Sequence, residues 1–110
     1  MCIFCDIASG KIPCKKVYEN DDVLAFHDLE PQAPVHVLVI PKKHYDNILA
    51  VPKGTNLMDS VLEAVAFIQK NFALDGGFRV VANTGKDGGQ SVEHLHFHVL
   101  GGRNLGWPPG

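Results

Sequence analysis

Three histidines at alternate positions, His94, His96 and His98, are the residues of this chain best placed to do chemistry. Residues two apart in a strand project to one face, so the spacing predicts three imidazoles in a row, about 7 Å between neighbours. Leu95, Phe97 and Val99 then point to the opposite face, into a core. Neutral imidazole can attack, accept a proton, donate one or bind a metal. Nucleophilic attack on phosphorus fits the row best: one ring forms a phosphoramidate intermediate while its neighbours move protons or hold phosphoryl oxygens. A three-histidine zinc site fits less well, because the outer pair of a same-strand triplet lie too far apart to share one tetrahedral ion. A plainly structural histidine is the usual reading for one such residue; strict alternation of three weakens it.

The segment just upstream, Asn83 to Ser91, is rich in glycine and short polar side chains. Such a loop can offer backbone N–H groups to an anion. It lacks the Walker A spacing, and taken alone it reads as a hairpin connection.

The elements that must carry these residues follow from periodicity and breakers. A short helix is expected over 3–9, stopped by Gly10, and strands over 15–19 and 22–28 about a turn at Glu19–Asp22. Residues 29–34 are a loop, and 35–40 a buried strand ended by Pro41. Leu57, Met58, Val61, Leu62, Val65, Ile68 and Phe72 form one stripe of a helix over 55–74, with Thr55 as N-cap and Gly76-Gly77 as the stop. Strands over 78–82 and 94–100 and an irregular tail over 101–110 complete the chain. The expected class is α+β: a mostly antiparallel five-stranded sheet with one long helix and a short N-terminal helix.

A length of 110 residues suits one domain over 1–110, and the net charge of −2 argues against a protein that coats a nucleic-acid polymer. No segment is apolar for long enough to span a membrane, and the N-terminus lacks the pattern of a signal peptide. Three cysteines at uneven spacing do not read as a disulfide framework. The expectation is a cytoplasmic protein with reduced thiols.

The run His94-Leu95-His96-Phe97-His98-Val99-Leu100 resembles the histidine triad motif, three histidines separated by apolar residues. Ala25-Phe26-His27-Asp28, Gln32-Ala33-Pro34, His36 to His44 and Gly88 to Val92 extend the resemblance along nearly the whole chain. The ending Gly101-Gly102-Arg103 with Trp107-Pro108-Pro109-Gly110 is similar to the nucleotide-binding (Hint) branch of that superfamily. The resemblance implies a phosphoramidase that cleaves P–N bonds of AMP-linked amines, and acyl-adenylates, with no cofactor required for catalysis. Dinucleoside polyphosphate hydrolysis and nucleotidyl transfer are the alternatives within catalysis; a non-catalytic nucleotide or zinc module is the alternative outside it.

By the same resemblance His96 is the nucleophile, His98 contacts the phosphate, His36 supports the triad and Ser91 sits near the leaving group. Asp28 accepts from the ribose hydroxyls, with Leu29 beside the sugar. Phe4, Ile7, Ile12 and Phe26 form the base pocket, and Asn83, Gly89, Ser91 and Val92 the phosphate contacts. The implied ligands are purine nucleotides (AMP, GMP and their phosphoramidates). Also implied is a two-fold homodimer with the sheet continued across its axis and Trp107 reaching towards the partner's site. Without the resemblance, Phe4, Ile7 and Phe26 read equally well as core, Asp28 as a turn residue and Ser91 as a strand-edge hydroxyl.

Cys2-Ile3-Phe4-Cys5 is a C-x-x-C pair outside any βαβ context, which argues against an oxidoreductase motif. Some relatives in the resembled family complete such a pair into a zinc site, and the matching residues here are His44 and His94. The reading from residues alone stays open between a structural Cys2His2 zinc site and two free thiols. Cys14 has no partner in the sequence.

Overall fold

The computed structural model describes residues 2–110. Its elements are α1 (Ile3–Ala8), β1 (Lys16–Glu19), β2 (Val23–His27), β3 (Val35–Pro41), a 3-10 turn (Ile48–Ala50), α2 (Leu57–Asn71), β4 (Phe78–Val81) and β5 (Phe97–Gly101). The five strands form one antiparallel sheet in the order β1-β2-β3-β5-β4. The α+β architecture expected from the sequence is the one observed.

The two faces of the sheet have different work. One carries Val23, Ala25, Val37, Val39, Phe97 and Val99, and α2 lays Leu57, Val61, Ala64, Val65 and Ile68 against it. The other carries Leu24, Phe26, Leu38 and Ile40, capped by Phe4 of α1. Register puts His36 and His98 on this second face: Leu38 pairs with His98, and His36 with Leu100. Arg79, opposite Leu100, projects the same way and donates to the carbonyls of Leu105 and Gly106. The C-terminal tail is thereby pinned at the edge of the histidine-bearing face.

Three boundaries differ from the sequence reading by more than one residue. The long helix starts at Leu57, because the Thr55 hydroxyl donates to Pro52 O at 3.2 Å instead of capping, and Asn56 takes the N-cap position. It ends at Asn71, before the glycines, because Ala73 turns left-handed at φ 53° and returns Leu74 to the core. Met58 and Leu62 fall on its exposed flank, 39% and 62% accessible, so the buried stripe is narrower than the periodicity suggests.

The third difference bears on the site. β5 begins at Phe97, so His94 and His96 precede the strand. The ladder with β3 stops at the pair Val39 and Phe97. Beyond it the Leu95 N–H goes to Tyr45 O, and Pro41 O is taken by the His94 side chain. The alternation nevertheless survives: Leu95, Phe97 and Val99 are buried in the α2-side core while the histidines face the other way.

Ile68 is fully buried between α2 and the sheet. Ile68→Ala is expected to lower unfolding free energy by about 2–5 kcal/mol, measured by urea denaturation at constant m-value.

Candidate active site

The histidines sit close together under α1. The rings of His96 and His98 are 5.0 Å apart, those of His36 and His98 5.2 Å, and Phe4 packs edge-on against His96 at 5.1 Å. His94 and His96 are buried, and His36 is 5% accessible. Burial in this setting makes each ring's partners decide where its proton sits.

The chain of partners starts at Gln32, whose N–H donates to His36 Nδ1 at 3.0 Å. Neutral His36 therefore carries its proton on Nε2, which lies 2.9 Å from His98 Nδ1 and 3.4 Å from Asp28 Oδ2. Since His98 Nδ1 accepts, neutral His98 carries its proton on Nε2. That buried N–H has no partner among the described residues, the condition of a donor waiting for a ligand oxygen. Burial, then the neighbouring His96 and His36, push His98 down from 6.5 to about 4, against the pull of Asp28. Burial also lowers His36, again against Asp28. Both rings are neutral at physiological pH.

His96 is fixed in the opposite sense. Its Nδ1–H donates to the backbone carbonyl of His94 at 2.8 Å. Its Nε2 therefore holds the free lone pair, as an imidazole nucleophile requires.

His94 belongs to a second cluster. Its Nε2–H donates to Pro41 O at 2.9 Å, which leaves Nδ1 as a lone pair facing Cys2 Sγ at 3.2 Å, Cys5 Sγ at 3.5 Å and His44 Nδ1 at 3.2 Å. His44 is oriented alike: Nε2–H donates to Asp46 Oδ1 at 2.8 Å, and Nδ1 turns inward, 3.3 Å from Cys5 Sγ. The four donor atoms lie within 4.8 Å of one another. Two inward lone pairs repel unless a cation stands between them, and a tetrahedral zinc with sulfur and nitrogen ligands has edges of roughly 3.3–3.8 Å. The outer N–H bonds to a carbonyl and a carboxylate are the arrangement that orients metal-binding histidines. These residues fit a zinc-class ion.

Asp28, His36 and His98 also converge within 4.8 Å. There the tautomers argue the other way. His36 Nε2 holds a proton between the groups where a metal would need a lone pair. This trio is a proton-bearing relay.

The structure brings Phe4, Phe26, Asp28, His36, His94, His96 and His98 together. Ile7 and Val92 pack at the edge of the same apolar cluster. Leu29 and Trp107 stand exposed, 86% and 82%, and Ile12 is 37% exposed. Gly89 and Ser91 are exposed and Asn83 half-buried; Ser91 borders a shallow cleft with Gly85, Lys86, Gln90 and Glu93.

Reasoning from the sequence assigned no role to Gln90, Asp46 or Gln32. Gln90 ties three segments: its Oε1 accepts from Gly85 N–H, and its Nε2 donates to Asp46 O and Val92 O. Asp46, two residues from a candidate ligand histidine, is a carboxylate that the orienting rule could have found. Gln32 acts through its backbone, which no residue type signals.

The HIT domain family model matches residues 9–105. The chain belongs to the HIT domain family. It is 45% identical over 112 residues to a 14 kDa zinc-binding protein of Brassica juncea, covering 98% of each chain. Among solved structures it resembles a HIT family hydrolase from Legionella pneumophila, with 44% identity, TM-score 0.95 and full coverage of both chains. It also resembles a histidine triad nucleotide-binding protein from Candida albicans, with 34% identity and TM-score 0.85 over 98% of this chain and 83% of that one.

The relay sets a pH expectation. His98 is neutral in the folded chain between about 4 and its ordinary 6.5, whereas the unfolded chain protonates there. Its contribution to stability is therefore whole above pH 6.5 and lost as pH falls through that window. Ring nitrogen NMR is expected to show His98 as the Nε2–H tautomer at pH 7 and uncharged at pH 5; a cationic His98 at pH 7 contradicts the relay.

Proposed function

We propose that this HIT-family chain is a hydrolase acting on nucleotide P–N bonds, a nucleoside phosphoramidase working through a nucleotidyl-His96 intermediate. One observation carries the reading: His96 Nδ1–H is committed to the His94 carbonyl, so its Nε2 lone pair is free beside the unpartnered N–H of His98. The names of the Legionella hydrolase and the Candida nucleotide-binding protein support hydrolysis and nucleotide binding in the same fold.

In this reading His96 Nε2 attacks the α-phosphorus of an AMP-linked amine, and the P–N bond breaks as the leaving nitrogen takes its bonding pair and a proton from solvent, which the later attack of water returns. The His98 N–H donates to a phosphoryl oxygen, where charge gathers in the transition state. Water then attacks the same phosphorus, AMP departs and His96 is restored. His36 and Asp28 hold His98 in its donor tautomer, and Asp28 retains a share for the ribose hydroxyls. Phe4, Ile7, Ile12, Phe26 and Leu29 are assigned to the nucleoside, Asn83, Gly89, Ser91 and Val92 to the phosphate, with Ser91 nearest the leaving amine. Purine nucleotides are the proposed ligands, bound by a single catalytic domain.

Cys2, Cys5, His44 and His94 are assigned to structural zinc, a reading supported by the converging lone pairs and by the name of the Brassica relative. A homodimer is proposed through the β4 edge and α2, where Phe78, Val80 and Leu62 are 41%, 43% and 62% exposed. An edge strand with exposed apolar side chains calls for cover.

His96→Asn is expected to reduce turnover of a fluorogenic AMP-amine by roughly 10⁴-fold or more. AMP affinity should stay within about fivefold, under 1 kcal/mol. Retained turnover contradicts the assignment, as does faster cleavage of a diadenosine polyphosphate by the unmodified protein. Metal analysis of protein purified without chelator is expected to find one zinc per chain, lost in Cys5→Ala.

A further inference from the structure

Helix α1 has six residues, too few to be stable by itself in water. Two kinds of contact hold it in place. Phe4 is inserted between Phe26, His94 and His96, at ring separations of 5.9, 5.9 and 5.1 Å. Cys2 and Cys5 are the other anchor, reaching His94 and His44 across the chain. The same His94 supplies the carbonyl that fixes the proton of His96. The thiol cluster, the wall beside the nucleophile and the nucleophile's tautomer therefore share one residue. Cys2 and Cys5 are both partly accessible, and Cys2 Sγ already accepts from the Cys5 N–H at 3.4 Å.

We propose that the Cys2–Cys5 pair is a redox latch on the active site: its oxidation to a disulfide releases α1 from His94 and His96 and weakens nucleotide binding. The proposal rests on the nucleotide reading above for its functional consequence alone. The oxidant is a small-molecule disulfide. With a disulfide RSSR, one cysteine thiolate attacks a sulfur and displaces RS⁻. The second cysteine thiolate then attacks the mixed disulfide and displaces the other RS⁻. Two electrons pass from the cysteine sulfurs to the oxidant, and the two leaving thiolates take up two protons. A disulfide sulfur no longer offers the anionic lone pair that a zinc-class ion requires. His44 and His94 alone cannot hold the ion, and the two rings lose their tie to Cys2 and Cys5. His94 moves, the carbonyl behind His96 moves with it, and Phe4 loses its seat.

The test uses the full chain carrying Cys14→Ser, which confines thiol chemistry to the pair, loaded with zinc and treated with oxidised glutathione. The expected result is release of one zinc per chain to a chromogenic chelator, together with a Cys2–Cys5 disulfide by peptide mass mapping. Amide hydrogen exchange across residues 3–8 should accelerate by tenfold or more, and the AMP dissociation constant should rise by at least tenfold. Dithiothreitol plus zinc should reverse all four. The same chain held in reduced glutathione at equal concentration should keep its zinc and its AMP affinity. Zinc release with unchanged exchange of residues 3–8 overturns the latch, as does failure of the disulfide to form. If the reduced, loaded chain binds no AMP, the nucleotide reading fails, and zinc release with helix exchange still decides the latch.

Discussion

The hydrogen bond from His96 Nδ1–H to the carbonyl of His94 is the contact on which the proposed chemistry of this chain depends. It is short, buried and made to a backbone atom, so it cannot be redirected by a side-chain rotation. It places one proton and thereby frees one lone pair. The bond exists because residues 94–96 leave the strand: a fully extended segment would aim the carbonyl of His94 into the β-ladder. Leu95 N–H on Tyr45 O and His94 Nε2–H on Pro41 O hold the segment in that departure.

The two histidine clusters thus acquire opposite proton arrangements through their outer partners. At His44 and His94 a carboxylate and a carbonyl take the outer protons, and the inner nitrogens become metal-type donors. At His36 a backbone N–H occupies the outer nitrogen, and the inner one keeps its proton and passes it towards His98. Proximity alone does not separate the two cases; the direction of each hydrogen bond does.

Much of this was legible in the residue pattern. The alternation of apolar residues and histidines over 94–99 identified the two faces correctly, although the ladder begins only at Phe97. The five strands and both helices were expected in order, since apolar periodicity and breaker residues report burial directly. Helix ends were less legible: Thr55 found an acceptor in Pro52, and Ala73 took a left-handed turn usually left to glycine. The relay was beyond reach of residue types, because it runs through the backbone of Gln32 and the tautomers of His36 and His98. The exposed Leu29, Ser91 and Trp107 have their proposed roles from resemblance, since one chain gives them little to touch.

The central claim is that phosphorus is attacked first by His96 and only then by water. The stereochemical course at phosphorus tests it directly. A nucleoside phosphorothioamidate of defined configuration would be hydrolysed in isotopically labelled water and the configuration of the thiophosphate product determined. Two in-line displacements, one on and one off His96, give overall retention. Inversion would mean a single direct attack by water and would contradict the account.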